Sequence, residues 1–415
     1  MRRLSTIIIP AVAGGLLATG MSAAPASAAK YVPAPLFGQH VASIGSPSPQ
    51  APSTLRAVRL WDAGVSWKNV EYADNKYDWS RLDRAVANAK ALGAQEILYT
   101  MGSTPSWAAS DPNSKLALYG EGSNSHPRSN TLYTDYLKAV ATRYPAITAF
   151  QVWNEANLRD FYLGTPEQMA QLTKDAKVAL RSIGSRAKLV AASTTVRAAG
   201  PVGKFGKAYG KAMKKKKAWS YVDAVSAHFY PPATSGPGTR VSYIKKVKSY
   251  YKKYGAKNKP LWDTEMSYGD TRTYMTIKRQ YTGATAAAFV ARTYLDSMRY
   301  GVSRVFWYGW DIHVLGTDMT SRSDGSLTAG GKAFEEIQKW MSGARWYGCK
   351  TKSSITTCTL RPPGAGKQTI RFTTSKSRTL KIPAGVTTMY HLDGTSTPVT
   401  KGQKVRITTL PVRLA

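Results

Sequence analysis

Residues 147–157 read Ile-Thr-Ala-Phe-Gln-Val-Trp-Asn-Glu-Ala-Asn, a short apolar run that turns polar at Asn154-Glu155. The same shape returns as Leu261-Trp262-Asp263-Thr264-Glu265. Runs this short and this apolar suit strands buried on both faces, too brief for helices. Working outward, further strands are predicted at Leu36–Val41, Ala57–Trp61, Glu96–Met101, Lys188–Ser193, Ala224–Phe229 and Arg304–Tyr308, with the two quoted strands taken as Ile147–Trp153 and Pro260–Thr264. Helical periodicity fills most of the gaps, at Trp79–Leu92, Tyr133–Tyr144, Pro166–Ile183, Tyr243–Tyr254, Thr285–Tyr300 and Ala333–Met341. Thr165-Pro166-Glu167-Gln168 is a helix start, with Thr as N-cap, Pro at the first position and Gln at the third. Gly93, Gly184, Gly255 and Gly301 stand where helix C-caps should fall. Eight strands with helical patterns in most of the gaps between them predict an α/β fold, the (β/α)8 TIM barrel. Two gaps lack periodicity. Ala42–Ser53 is rich in Ser, Pro and Ala and suits a long first loop or a linker; Gly200–Ser220 is basic and suggests an irregular fifth helix.

The texture changes after Gly343. Cys349–Leu360, Thr369–Thr374, Leu380–Pro383, Thr387–Leu392 and Lys404–Leu410 read as strands between Gly, Pro and Ser turns, and Glu is absent from this stretch. The expected organisation is a leader over 1–28, a barrel over 29–343 and a small antiparallel β domain over 344–415. That domain suits a structural cap better than a sugar-binding module, because no aromatic platform stands out in it. Cys349 and Cys358 are the chain's two cysteines. An oxidising compartment would pair them across a hairpin; otherwise they are two buried thiols. Neither a thiol nucleophile nor a thiolate metal site is available to the barrel.

At the start, Arg2 and Arg3 precede an apolar run from Ile7 to Leu17, and Ala26-Ser27-Ala28 has the small-residue cleavage pattern. This is the order of a secretory signal peptide, too short and too broken by Gly and Pro to span a bilayer. A secreted protein, extracellular or wall-associated, is expected, with no membrane span. Charge points outward as well. Lys plus Arg number 58 against 24 Asp plus Glu, a formal net charge of +34. Such a surface attracts polyanions without choosing among them. Lys214–Lys217 and the pairs Lys245/Lys246 and Lys252/Lys253 gather on the fifth and sixth helices, as solvated faces or as a docking surface for an anionic cell-wall polymer. No specific nucleic-acid motif is present.

A barrel enzyme carries its chemistry at the C-terminal ends of its strands. The chain has eight Glu, so each can be weighed. Glu335 and Glu336 fall inside the last helix, and Glu167 in a helix first turn where it suits the macrodipole. Glu96 begins a strand, at the wrong end of the barrel, and Glu71 and Glu121 lie in polar loops. Glu155 and Glu265 remain, immediately after strands four and seven, on opposite sides of an eight-stranded ring. Two carboxyl groups facing each other across a sugar are what glycosidic hydrolysis requires.

These residues carry a resemblance. Trp153-Asn154-Glu155 and Thr264-Glu265 resemble the acid/base and nucleophile motifs of glycoside hydrolase clan A. Val58-Arg59-Leu60-Trp61-Asp62 through Trp67, Tyr77-Asp78-Trp79, Leu82-Asp83 and Gly93 resemble family 39 and family 5-like members, over roughly residues 36–340. Ala156 departs from the Pro common after the acid/base, and Met266 from the aromatic often found after the nucleophile. The resemblance implies a retaining glycosidase acting on a polysaccharide or oligosaccharide, with Glu155 as general acid/base and Glu265 as nucleophile. It implies that Arg59 keeps Glu265 ionised, that Asn154 meets the sugar 2-hydroxyl, and that Tyr230 donates to Glu265. His228 is a functional or a satisfied core histidine. Trp307 and Trp310, ending strand eight, would stack on a pyranose if they face the cleft. No cofactor or metal is called for. Two rival readings stay open: a non-catalytic polysaccharide-binding protein on the same scaffold, and a transglycosylase.

Overall fold

The computed structural model describes residues 30–197 and 203–415. The expected leader lies outside the described residues. Eight parallel strands form one sheet: β1 (Phe37–Gln39), β2 (Ala57–Leu60), β3 (Glu96–Thr100), β4 (Ala149–Gln151), β5 (Lys188–Val190), β6 (Val225–His228), β7 (Leu261–Met266) and β8 (Val302–Trp307). Hydrogen bonding runs in the order β5-β4-β3-β2-β1-β8-β7-β6, and a parallel bridge from Val190 to Ala224 joins the two ends into a barrel. All eight predicted strands are present, most of them shorter than the apolar runs that signalled them.

Seven longer helices pack outside: α1 (Ser80–Ala91), α2 (Asn130–Arg143), α3 (Pro166–Ser182), α4 (Lys204–Lys215), α5 (Pro237–Tyr254), α6 (Gly283–Tyr300) and α7 (Ala329–Met341). Between β1 and β2 the chain makes a 3-10 turn, Ala42–Gly45, in a longer loop. Side chains of α1 close it, with Arg84 and Asn88 donating to the carbonyls of Gly45, Ile44 and Ser46. The fifth helix is regular where irregularity was expected. Tyr209, Ala212 and Met213 face inward on α4, and Gly210 lets α5 come close, since a Cβ there would lie 2.6 Å from the Tyr254 ring. The lysines masked that stripe in the sequence. At the start of α3 the capping box is complete, with Thr165 and Gln168 each accepting from the other's backbone N–H.

The barrel interior is layered. Ala57, Leu98, Ala149, Val190, Ala224, Trp262 and Phe306 form an apolar plug low in the barrel. Gly38 completes it by subtraction, because a Cβ at that position would sit 2.5 Å from the Phe306 ring. Below the plug Glu96 pairs with Lys188 and Arg304, a structural use of that carboxylate. Above it the inward positions turn polar: Arg59, Thr100, Gln151, Ser226 and Thr264, all buried. A floor of grease under a hydrogen-bonded layer holds the strand ends at the mouth rigidly in place.

The C-terminal region adds β9 (Arg345–Lys352), β10 (Ile355–Arg361), β11 (Gln368–Thr373), β12 (Arg378–Lys381), β13 (Thr388–Tyr390), β14 (Ser396–Pro398), β15 (Lys404–Ile407) and β16 (Val412–Leu414). The predicted single strand Cys349–Leu360 is two strands, turning at Ser353 and Ser354 with φ of 49° and 67°. Cys349 and Cys358 face each other across that hairpin and are disulfide-bonded. Lys30–Tyr31, before the barrel in sequence, pairs with β9 and forms one edge of this antiparallel sheet. Thus the two regions share a strand across the boundary expected near Gly343. Among the described residues, no helix is long and apolar enough to cross a membrane.

Candidate active site

β4 ends at Gln151, and the next four residues carry Asn154 and Glu155 to the mouth of the barrel. The backbone of Glu155 has φ of 36°, a left-handed conformation that costs a non-glycine residue energy. Neighbours hold it there. The Glu155 N–H donates to Ser193 Oγ at 2.9 Å, and the Ala156 N–H donates to the Ser193 carbonyl at 2.9 Å. Strain held at the end of β4 is a sign that position matters more there than comfort. β7 delivers Glu265 directly, from a strand in which Trp262 and Thr264 point into the barrel.

The two carboxyls meet. An oxygen of Glu155, an oxygen of Glu265 and a ring nitrogen of His228 all lie within 4.8 Å of one another. Their surroundings differ sharply. Glu265 accepts from Arg59 Nη1 at 2.8 Å and from the Tyr230 hydroxyl at 2.7 Å. Glu155 has no cation in contact; its partner is His228 Nδ1 at 2.8 Å. Burial pushes the Glu155 carboxyl up to about 7, against weaker opposition from Thr195 and Arg59. Burial raises Glu265 as well, but the guanidinium charge of Arg59 beside it pulls it back toward ionisation.

Arg59 organises the layer beneath. Nη2 donates to Asn154 Oδ1 at 2.7 Å and Nε to Gln151 Oε1 at 3.0 Å. Because Nε can only donate, it fixes which end of the Gln151 amide faces it. The amide nitrogen therefore points the other way, donating to Ser226 Oγ at 2.9 Å and Thr264 Oγ1 at 3.0 Å. Thr264 is left to donate its own proton to His228 Nε2, 3.1 Å away. With Thr264 donating in this way, His228 carries its hydrogen on Nδ1 and donates it to Glu155. Burial drives the His228 pKa down to about 3, so the ring is neutral and carries a single N–H. One arginine thus sets Glu265 directly and Glu155 through a relay.

Arg59, Asn154, Glu155, His228, Tyr230 and Glu265 are brought together. Trp307 and Trp310 are not. Trp307 is fully buried against Tyr268, and Trp310 packs on Phe334. In β8 the alternation aims Phe306 inward and Trp307 toward the helices, so the stacking expected of these two tryptophans has no surface to act from. Tyr308, between them, lines the cleft instead. The cleft itself is about 960 Å³ and takes in Trp61, Asp62, Tyr119, Arg197, Arg272 and Tyr274 besides the carboxyls. Asp62 is half-buried, accepts from Tyr119, and has its carboxyl raised by desolvation. His40 follows β1 and its Nε2 sits 3.1 Å from the Thr264 carbonyl.

Several of these went unassigned from sequence. Asp62 lies within the motif around Arg59 and its polarity after an apolar strand was a usable signal. Gln151 was another, a polar residue at an inward strand position. Tyr119, Arg197 and Arg272 sit in long loops and gave none. Glu71 is not a solvated loop residue; it is buried and accepts from Trp67 Nε1 and the Asn75 N–H, closing a small hairpin. Glu155, His228 and Glu265 also have the spacing to hold a metal ion. The guanidinium of Arg59 already supplies positive charge beside Glu265.

No protein-family model matches the chain, and no curated protein matches it. Solved structures do. A family 39 glycoside hydrolase from Bacteroides cellulosilyticus superposes with a TM-score of 0.64 at 19% identity, covering 87% of this chain and 75% of that one. A family 39 β-xylosidase from Caulobacter crescentus gives 0.64 at 16% identity, over 93% and 97%. A family 30 endoxylanase from Clostridium papyrosolvens gives 0.59 at 16%, over 92% of each chain. At these identities the likeness is one of fold: a barrel with an attached β domain, the architecture these glycoside hydrolases adopt.

Proposed function

We propose that the protein is a secreted, retaining glycoside hydrolase acting on a polysaccharide or oligosaccharide. The observation that carries this reading is the Glu155–Glu265 pair, with oxygens within 4.8 Å across one cleft, Glu265 bonded to a cation and Glu155 to none. Retaining enzymes keep their two carboxyls roughly 5–5.5 Å apart, and the closer approach of oxygens here, within 4.8 Å, supports that class over the inverting one. Glu265, kept ionised by Arg59 and Tyr230, attacks the anomeric carbon. Glu155 gives its proton to the leaving oxygen as that bond breaks. The resulting ester removes the charge from Glu265, and Glu155 is left as a carboxylate able to take a proton from water. That water attacks the anomeric carbon and frees Glu265. Asn154, oriented by Arg59, meets the 2-hydroxyl. The leader pattern and the Cys349–Cys358 disulfide support secretion.

A panel of aryl glycosides and polysaccharides, with the product anomer followed by NMR, tests this. Retention of anomeric configuration is expected. An inverted first product, or turnover that survives Glu265→Ala, sinks it.

A further inference from the structure

Residues 203–259 hold fifteen Lys and Arg against a single acid, Asp223. Asp223 is already paired with Lys177, and Arg240 is buried on Asp263. The remaining cations mostly stand exposed on the outer faces of α4 and α5, from Lys204 and Lys211 to Lys245 and Lys253. Among the described residues none of these exposed lysines forms an ion pair. A solvated helix face ordinarily interleaves both signs, since i,i+4 pairs of opposite charge stabilise it and like charges repel. This face forgoes that stabilisation over two neighbouring helices.

Beside it lies a concave site. Where α5 packs on the end of α6, a pocket of about 570 Å³ is lined by Lys30, Lys245, Lys248, Arg299 and Tyr300, with no carboxylate in its wall. Lys248 is tied to the Tyr300 carbonyl at 2.9 Å, and the charges of Lys245 and Arg299 rest over the Tyr300 ring at 5.4 Å and 5.3 Å. Four cations from three separate elements converge on one hollow with no charge partner of their own. The same sector of the barrel carries Arg197 and Arg272 in the loops after β5 and β7. They share one buried carboxylate, Asp270, and leave a net positive charge on the cleft wall.

We propose that the outer face of α4 and α5, anchored at the α5–α6 pocket, docks the carboxylate-bearing chain of an acidic polysaccharide. Choosing a polysaccharide over other polyanions rests on the glycosidase reading above, and on the arginines that carry the same charge preference into the cleft. Guanidinium forks suit carboxylates, and a linear chain with regularly spaced charge can satisfy separated lysines at once.

The test is calorimetric titration of the full chain with polygalacturonate, with neutral dextran, poly(glycerol phosphate) and duplex DNA in parallel, at 50 and 200 mM NaCl. Polygalacturonate should bind and dextran should not, with affinity falling at least about tenfold at the higher salt. Lys245→Glu with Lys248→Glu should weaken binding at least about tenfold. Lys381→Glu with Lys401→Glu, which makes the same change in net charge on the β domain, should change it less than about twofold. Equal weakening by both pairs overturns the proposal in favour of bulk charge. Phosphodiester polymer or DNA bound as tightly as polygalacturonate overturns the choice of partner. Glu265→Gln should lose turnover and keep binding, so the docking surface and the catalytic reading fail separately; binding lost in that variant would move the site to the cleft and end the proposal.

Discussion

Asp263 and Glu265 stand two residues apart on β7, both buried and both paired with a buried arginine, and their settings differ in almost every other respect. Asp263 points out of the barrel. Its Oδ2 takes Arg240 Nη2 at 2.6 Å and Nε at 3.1 Å, and Arg240 spends its other donors on the Thr293 carbonyl and Ser297. That pair is saturated and sealed beneath α5 and α6. Glu265 points to the mouth, takes one bond from Arg59 and one from Tyr230, and opens onto the cleft beside Glu155. A buried ion pair is therefore no mark of function by itself. Access to a ligand and an unlike second carboxyl are what separate the two.

Substitution should pull that contrast apart. Glu265→Gln is expected to lower kcat by about 10⁴-fold or more while lowering the melting temperature less than Asp263→Ala does, measured on a reactive aryl glycoside and by scanning calorimetry. Asp263→Ala should do the reverse. Removing one partner of a buried pair costs about 3–5 kcal/mol of stability, seen in urea unfolding, with the folded fraction still active. If Asp263→Ala instead lowered activity at full stability, the division of labour on β7 would be wrong.

Arg59 sharpens the comparison because it serves the cleft alone. Arg59→Met should lower kcat/KM by about 10²–10³-fold, the scale for losing one preorganised charged donor. It should also raise the acid limb of the pH profile, since Glu265 loses the cation that favours its ionised form. The alkaline limb belongs to Glu155. That group works protonated, so activity should be present below about pH 7 and lost as pH rises through its pKa. Glu155→Gln should remove that limb.

The smallest effect tests the relay. Thr264→Val takes away the hydroxyl that holds His228 as the Nδ1–H tautomer and leaves a buried ring nitrogen unpaired, at a cost of about 1–3 kcal/mol. With Nδ1 free to accept, the protonated form of Glu155 is favoured and the alkaline limb should move upward. A profile that does not move would show that the relay positions nothing.

The β strands were legible because a strand buried on both faces has to be an unbroken apolar run, and the helix starts and stops because caps use few residue types. Glu155 and Glu265 were legible by their place at strand ends. α4 was obscured because its inward stripe is diluted by Lys and Gly, and Ser353-Ser354 concealed a hairpin because neither residue announces a turn. Trp307 and Trp310 misled for a related reason: a strand end specifies proximity to the mouth, while alternation decides which face a ring takes, and register is not written in one residue.

Composition, the eight apolar runs and the spacing of two glutamates are properties of the chain in order, and they determined the barrel and its candidate carboxyls. What Arg59 touches, which proton His228 holds, and whether a carboxyl at the barrel mouth is sealed or open depend on atoms far apart in the chain. Hydrogen bonds and burial act over a few ångströms of space, so only the folded arrangement could decide them.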